Sequence, residues 1–249
     1  MTTPETLRLD GETLDTFYHG RVSVIQKKKG YRFSVDAPLL ADFIRIRAGD
    51  EALDLGTGSG IISLLLSVKP FRRIVALEIQ EGLADLARRN VELNGLGDRI
   101  EVVCADLRTF EPGRRFDLIF SNPPYIRKAT GFLSRSEEKS AAKHELHGDI
   151  EDIMEKTAAW LEPNGRACFV YPEKRRADFA RAADRRGFRI RRFRQVLPRA
   201  SAPANLFLVE LGFAAGAGAA VAEPEVMPPL VLFAPSGKYT DEAEAVFSG

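Results

Sequence analysis

A glycine-rich turn between two apolar runs constrains the fold of this chain more than any other feature. Residues 52–62 read Ala-Leu-Asp-Leu-Gly-Thr-Gly-Ser-Gly-Ile-Ile. Glycines let the backbone turn tightly and let a ligand approach closely, because they carry no Cβ. The dinucleotide pattern Gly-x-Gly-x-x-Gly fails here, since its last position falls on Ile61 or Ser63, and no Gly-Lys-Ser/Thr follows a glycine loop. The turn therefore serves a different ligand.

Acidic residues follow the next two strand-like runs. Glu78 ends the run Ile-Val-Ala-Leu, twenty residues after Gly58, and Asp106 comes after the run Ile-Glu-Val-Val-Cys. A carboxylate at Glu78 can accept hydrogen bonds from both ribose hydroxyls of an adenosine, as in dinucleotide folds, and one at Asp106 can meet the adenine amino group. With Asp54 and the three glycines after it, this pattern resembles motif I of S-adenosylmethionine-dependent methyltransferases.

A second motif, Asn122-Pro123-Pro124-Tyr125, follows the apolar run Phe-Asp-Leu-Ile-Phe. Two prolines cannot donate to a sheet, so the strand must end there in a stiff turn. The Asn122 carboxamide offers a donor and an acceptor to a planar amine, and Tyr125 can cover a flat group. Alone, the stretch is better explained as a proline turn with a packed aromatic. The glycine turn upstream favours a site that grips a planar nitrogen.

The alternation of strand-like and helix-like segments predicts the α/β class. We expect a doubly wound, Rossmann-like sheet of seven strands with one antiparallel edge strand, the arrangement of class I methyltransferases. The predicted helices are 61–68, 81–94 with Gly95 as its stop, 150–161 and 174–186, and a turn is predicted at 162–165 before a strand at 167–171. Strands at 188–197 and 206–213 are expected to form the antiparallel edge.

Three segments are predicted. They are an N-terminal extension at 1–47, with a hairpin at 18–33 and a helix at 38–46, a cofactor-binding methyltransferase domain at 48–213, and a flexible linker with a C-terminal tail at 214–249. Residues 126–148 form a polar loop long enough to act as a lid or a substrate loop.

Composition bounds the function classes. The chain has 249 residues, 45% of them hydrophobic, and a formal net charge of +1, so affinity for nucleic acid must come from local patches. Cys104 and Cys168 lie in apolar runs and are expected to be reduced core thiols. Without an apolar run of membrane-spanning length or a signal-peptide core in residues 1–10, the sequence predicts a soluble, cytoplasmic protein. The sequence does not distinguish a monomer from a homodimer.

Over nearly its whole length the chain resembles the bacterial valine-tRNA adenine-37 N6-methyltransferase family. The resemblance rests on Thr-Phe-Tyr at 16–18, residues 26–37, the two motifs above, Pro-Ala-Asn at 203–205, and the tail at 228–233 and 238–240. The two motifs are shared with many amino-methylating enzymes, so they indicate only the reaction class. The discriminating pieces are the tail and the Phe-Ser-Val-Asp segment, a mild variant of the family's Thr-Asp or Thr-x-Asp. The resemblance implies S-adenosylmethionine as donor and an adenine amine in tRNA as acceptor.

The motifs and the resemblance together predict the site residues. The predicted cofactor-binding residues are Ser34, Asp36, Asp54, Gly56, Thr57, Gly58, Gly60, Glu78, Ile79, Asp106, Leu107 and Asn122, and the predicted catalytic residues are Asn122, Pro123 and Tyr125. Ser34 and Asp36 are carried over from the resemblance, which places them near the methionine end of the cofactor. The sulfonium methyl is already electrophilic, so alignment is the main task and neither a general base nor a metal is assigned.

Two basic clusters are candidates for RNA contacts. Eight arginines lie between Arg181 and Arg199 against a single acid, and Lys27–Lys29 form a run in the N-terminal segment. Lysine and arginine supply most of the non-specific affinity for phosphates. The alternative is a solvated edge strand whose charges discourage aggregation. Beside a base-methylating site, we favour the RNA interpretation.

Two other functions compete. A protein-glutamine methyltransferase acting on release factors uses the same Asn-Pro-Pro-Tyr grip on a side-chain amide, but such enzymes carry an extended helical N-terminal domain, whereas this N-terminal segment is short and strand-like. A catalytically silent RNA-binding module of the same fold is disfavoured, because Asp54, Glu78, Asp106 and Asn122 are all present. The glycine spacing excludes a nicotinamide-dependent oxidoreductase.

Overall fold

The computed structural model describes residues 7–29, 34–123, 149–214 and 223–248. Three predictions lie wholly or partly outside these ranges: Tyr125, the loop at 126–148 and residues 215–222 of the linker at 214–229. In the part of the chain that is described, no helix combines the length and the apolar character needed to cross a membrane.

The N-terminal part is an antiparallel hairpin of β1 (Glu12–Phe17) and β2 (Val22–Lys27). The hairpin predicted at 18–33 was placed too far along the chain. Its expected first strand is the turn, in which Tyr18 and His19 adopt positive φ angles of 54° and 55°. Non-glycine residues seldom adopt such angles, so the sequence pattern did not indicate a turn at these two positions.

In the described residues, the central sheet contains seven long strands. In addition to the hairpin, the chain forms β3 (Glu51–Leu55), β4 (Arg73–Glu78), β5 (Ile100–Cys104), β6 (Phe116–Ser121), β7 (Leu161–Pro172), β8 (Phe188–Leu197) and β9 (Leu206–Phe213). Their order across the sheet is β8-β9-β7-β6-β3-β4-β5, and β9 is antiparallel to both of its neighbours. The predicted fold class and the antiparallel pair are confirmed. The reversed strand, β9, lies between β7 and β8 and not at the edge of the sheet.

Six helices accompany these strands in the described residues. They are α1 (Asp36–Phe43), α2 (Ile61–Leu66), α3 (Glu81–Leu93), α4 (Ile150–Trp160), α5 (Arg176–Arg185) and α6 (Asp241–Ser248). Gly95 follows α3 with a φ of 63°, as expected of a glycine helix stop. The predicted turn at 162–165 instead belongs to β7, where it lies between two positions paired with β6 across a register shift.

Successive residues of the central strands enter separate apolar clusters on the two faces of the sheet. Ile74 and Ala76 of β4 pack in a cluster with α1 and α2, whereas Val75 and Leu77 pack in a cluster with α4 and α5. This alternation follows from the two-residue period of a strand, and it shows that both faces are covered.

The C-terminal residues pack on the same core. Strands β10 (Glu225–Val226) and β11 (Leu230–Val231) pair in parallel with β8, which brings the sheet to nine strands in the described ranges. Leu232 and Val246 of this segment are buried in the α1–α2 cluster. The division of the chain at 47 and 213 stays a prediction.

The two cysteines occupy different environments. Both are free thiols; Cys168 in β7 is buried, as expected, and burial raises its pKa far above the ordinary range. Cys104 is exposed, so its prediction as a core thiol was wrong. It is the last residue of β5, a strand at the edge of the sheet, which leaves its side chain uncovered.

Candidate active site

Four neighbouring strands end side by side at the carboxyl edge of the sheet, in the order β6-β3-β4-β5. Asp54 of β3 stands opposite Phe120 of β6, and Glu78 of β4 stands opposite Cys104 of β5. The predicted motifs therefore follow one another along this edge: Asn-Pro, the glycine turn, Glu78 and then Asp106. Ligands of open α/β sheets bind outside such carboxyl ends.

The glycine turn closes on the next strand. The backbone N–H groups of Gly56 and Thr57 both donate to the carbonyl oxygen of Leu77, each at 2.9 Å. Gly56, Gly58 and Gly60 have φ angles of 73°, 60° and 84°, which residues with a Cβ adopt only with strain. The spacing of glycines at every second position is thus required by the backbone of the turn.

Asp54 is a fully buried carboxylate beneath this turn. Its Oδ2 accepts hydrogen bonds from Thr57 Oγ1 at 2.6 Å and Ser63 Oγ at 2.7 Å. Its Oδ1 is also buried and has no hydrogen-bond partner among the described residues. Burial raises the pKa of Asp54 to about 7, opposed by the two hydroxyl donors and reinforced by the nearby charge of Glu78. A cationic ligand would offset this desolvation.

Glu78 is buried and held by backbone donors. Its Oε2 accepts from Gly58 N–H at 2.9 Å, and its Oε1 accepts from Gln80 N–H at 2.9 Å. Each oxygen accepts one of these two bonds and has a further lone pair. The carboxylate is therefore fixed in orientation against the glycine turn and can accept two more hydrogen bonds.

The third acid, Asp106, lies beyond the end of β5 in a more open position. Arg108 donates to both of its oxygens from Nε at 3.0 Å, so any adenine contact must be shared with this guanidinium. Ile79 and Leu107 are half-buried apolar residues that follow Glu78 and Asp106 directly. They are well suited to flank a flat ring.

Asn122 and Pro123 follow β6 next to the glycine turn. Asn122 is half-buried and Pro123 is buried. The preceding residue, Ser121, is fully buried, and its Oγ donates to the carbonyl oxygen of Leu55 at 2.7 Å. Leu55 precedes the first glycine of the turn, so this bond joins the starting points of the two motifs. The predicted catalytic residues Asn122 and Pro123 thus lie beside the predicted cofactor turn.

The two residues carried over from the resemblance lie at the start of α1. Asp36 is its first residue and is buried, and Ser34 is exposed two residues earlier. Their contact with the cofactor stays a prediction.

Sequence reasoning missed three polar residues that build this edge: Ser63, Ser121 and Asn90. Each lies in an otherwise apolar pattern, where a buried polar side chain needs a hydrogen-bond partner. Ser63 and Ser121 bond to Asp54 and Leu55, respectively, and Asn90 bonds to the glycine turn through the carbonyl oxygen of Ser59 at 2.9 Å. A polar residue within an apolar stripe was the available signal.

The arginine-rich segment does not form the free basic patch that its composition suggested. Arg192 and Arg194 are buried; Arg192 pairs with Glu210 at 3.0 Å and Arg194 with Glu242. Four exposed or half-buried members also pair with acids, namely Arg181 with Asp178, Arg185 with Glu151, Arg186 with Glu155 and Arg189 with Asp184. Apart from Asp184, these acids lie outside residues 181–199, so a count within the segment overlooked them. Arg191 and Arg199 are exposed.

Known proteins resemble this chain in sequence and in fold. Residues 31–180 match the model of the methyltransferase small domain family. The tRNA1(Val) (adenine(37)-N6)-methyltransferase of Vibrio cholerae serotype O1 is 29% identical, over 79% of this chain and 81% of its own length. The enzyme of that name from Bacteroides fragilis is 28% identical, over 79% and 84%. A solved structure described as a predicted O-methyltransferase from Agrobacterium tumefaciens superposes with a TM-score of 0.64 at 21% identity, covering 85% of this chain and 94% of that one.

Proposed function

The chain belongs to the methyltransferase small domain family, and from that premise we propose that it transfers a methyl group from S-adenosylmethionine to the exocyclic amine of an adenine in tRNA. The observation that carries the proposal is the Ser121–Leu55 hydrogen bond, which joins the Asn122-Pro123 turn to the glycine turn at neighbouring strand ends. The names of the relatives at 28–29% identity support the choice of acceptor.

The residues present fit the methyl donor. Glu78 would accept the two ribose hydroxyls with the lone pairs that its backbone donors leave open. The unpartnered Oδ1 of Asp54 supplies a buried negative charge that suits a cation, and Ile79 and Leu107 would flank the adenine. When bound, S-adenosylmethionine supplies an electrophilic methyl group on a sulfonium.

Asn122 and Pro123 would hold the acceptor amine. The side-chain oxygen of Asn122 and the carbonyl oxygen of Pro123 would accept hydrogen bonds from its two N–H groups. These contacts would draw the nitrogen toward tetrahedral geometry and free its lone pair. Tyr125 would stack on the base, a contact worth about 1–3 kcal/mol in nucleic-acid complexes. Removing water and aligning the nitrogen are then the main contributions of the protein.

The tRNA would reach this site over the carboxyl edge, where three exposed cations form no ion pair with the described residues. Lys174 follows the end of β7, Arg199 follows the end of β8, and Lys238 lies in the turn after β11, which runs parallel to β8. A base in an RNA loop must be splayed out to enter a pocket, and this costs less than in a duplex. With tRNA as its substrate, the protein would act in the cytoplasm.

The test offers purified protein, radiolabelled S-adenosylmethionine, bulk tRNA and a release factor in parallel reactions. We expect label in the RNA fraction, in N6-methyladenosine after digestion to nucleosides. Label in the release factor alone would overturn the proposal in favour of a glutamine methyltransferase. Label in adenosine but at another position would keep the reaction class and correct only the target.

A further inference from the structure

Asn90 is a buried polar residue on an apolar helix face. It lies in α3 among Leu83, Leu86 and Ala87, and its side chain is fully buried. Its Oδ1 accepts a hydrogen bond from Ile25 N–H at 2.6 Å, and its Nδ2 donates to the carbonyl oxygens of Ile25 at 3.1 Å and Ser59 at 2.9 Å. Both amide hydrogens and one acceptor site are therefore in use.

Asn94, one helical turn further on, makes the same pair of hydrogen bonds to β2. Its Oδ1 accepts from Ser23 N–H at 2.9 Å, and its Nδ2 donates to the Ser23 carbonyl oxygen at 2.7 Å. Ser23 and Ile25 are two residues apart on β2, so their backbone groups point to the same side. The two asparagines thus satisfy the edge of β2 as a neighbouring strand would, and fasten the hairpin to α3.

Only Asn90 extends this attachment to the glycine turn. Ser59 lies between Gly58, whose N–H donates to Glu78, and Gly60, the N-cap residue of α2. Helix α3 packs closely here, since a Cβ placed on Gly60 would lie 3.4 Å from the Cβ of Ala87, three residues before Asn90. The Ser59 carbonyl would be left without this amide donor if Asn90 were truncated.

We propose that Asn90 is a positioning residue for methyl-donor binding, which fixes the glycine turn through Ser59 and ties it to the N-terminal hairpin. The inference rests on the proposed function, because it assigns the donor to this turn. By holding the Ser59 carbonyl, Asn90 sets the orientation of the peptide groups on either side of it. The Gly58 N–H that orients Glu78 belongs to this same short stretch of backbone.

The test compares Asn90→Ala with Asn94→Ala by calorimetric titration with S-adenosylmethionine. Both variants lose two hydrogen bonds to β2, so both should lower the melting temperature. Asn90→Ala also loses the bond to the turn, and we expect its donor affinity to fall roughly threefold to tenfold, the range for one buried neutral hydrogen bond. Asn94→Ala should bind the donor like the unmodified protein.

Equal donor affinity in the two variants would overturn the inference, and Asn90 would then be a structural attachment only. If Asn90→Ala is unfolded at the assay temperature, Asn90→Ser takes its place, with the same expectation. Steady-state kinetics give a second readout: the KM for the donor should rise in the Asn90 variant with kcat at saturating donor unchanged, a split that loss of folded protein would not produce. Failure of the unmodified protein to bind S-adenosylmethionine would instead refute the proposed function.

Discussion

The arginine-rich segment at 181–199 and the cations at the carboxyl edge of the sheet differ in what their charges contact. The segment from Arg181 to Arg199 carries eight arginines, but six of them are paired with carboxylates of the same chain. The cations at the carboxyl edge, Lys174, Arg199 and Lys238, are few and exposed. The comparison shows that the density of arginine in a segment does not measure the charge available to a phosphate.

The paired region has a structural explanation. Arg192 reaches from β8 to Glu210 of the adjacent β9 and also donates to the carbonyl oxygen of Phe43 at the end of α1, with its guanidinium 4.0 Å from the centre of the Phe43 ring. Arg194 donates to the carbonyl oxygen of Pro228 at 2.9 Å and pairs with Glu242 of α6. These arginines join the sheet to α1 and to the C-terminal segment.

The largest effect is expected at the buried pair. Arg192→Met leaves Glu210 as an unpaired buried charge, so the free energy of unfolding should fall by about 3–5 kcal/mol. Replacing both residues, Arg192→Met with Glu210→Met, should restore much of that loss, because neither charge then needs a partner. Chemical denaturation measures both values. If Arg192→Met alone were as stable as the unmodified protein, the pair would not be needed for folding.

At the carboxyl edge the largest effect is expected from Asn122→Ala. Loss of the amide that grips the acceptor should lower kcat by about 100- to 1,000-fold, as for removal of one preorganised hydrogen-bonding group in an active site. Donor affinity should change little, since Asn122 would act mainly on the acceptor nitrogen. Arg186→Ala serves as the control, because it removes an arginine that is paired with Glu155, and its kcat should equal that of the unmodified protein. Turnover of Asn122→Ala near the unmodified rate would place the chemistry elsewhere.

The dependence of tRNA affinity on salt addresses the comparison directly. If Lys174, Arg199 and Lys238 contact phosphates, their joint replacement by alanine should reduce the slope of log K against log salt by about 2–3, since each neutralised phosphate contributes roughly 0.7–0.9. The double variant Arg186→Ala, Arg189→Ala removes two cations that already have carboxylate partners, and it should leave the slope unchanged. The opposite outcome, a flatter slope in the double variant alone, would restore the arginine segment as the RNA surface.

The parts of this fold that follow from local patterns could be predicted from sequence. The apolar runs, the glycine spacing and Asn-Pro-Pro gave the strand ends of the site in their correct order, because backbone requirements act within a few residues. The partners of Arg192 and Asn90 could not be predicted. Glu210 and Ile25 are brought to them only by strand pairing and by helix packing across long sequence separations.

Within the site, the buried Asp54 has an oxygen without a hydrogen-bond partner among the described residues, whereas Asp106 is paired with Arg108. The pH dependence of stability and of donor affinity can reveal this difference. Burial raises the pKa of Asp54 to about 7 from its ordinary value of 3.8. Between these two pKa values the folded protein holds a proton that the unfolded chain releases. The free energy of unfolding should therefore fall as the pH rises from about 4 to 7. A cationic donor favours the ionised form, so its affinity should increase as pH rises toward 7, by up to about tenfold per pH unit, and level off above it.

Calorimetric titration with S-adenosylmethionine between pH 5.5 and about 8.5 measures this dependence. Asp54→Asn removes the titrating group, and its donor affinity should be weaker and independent of pH in this range. Asp106→Asn is the matched control, because Asp106 is already paired with Arg108 and more exposed, and it should retain the slope of the unmodified protein. A slope that persists in Asp54→Asn would assign the proton to another group. Its loss in that variant alone would show that Asp54 is the group whose ionisation strengthens donor binding.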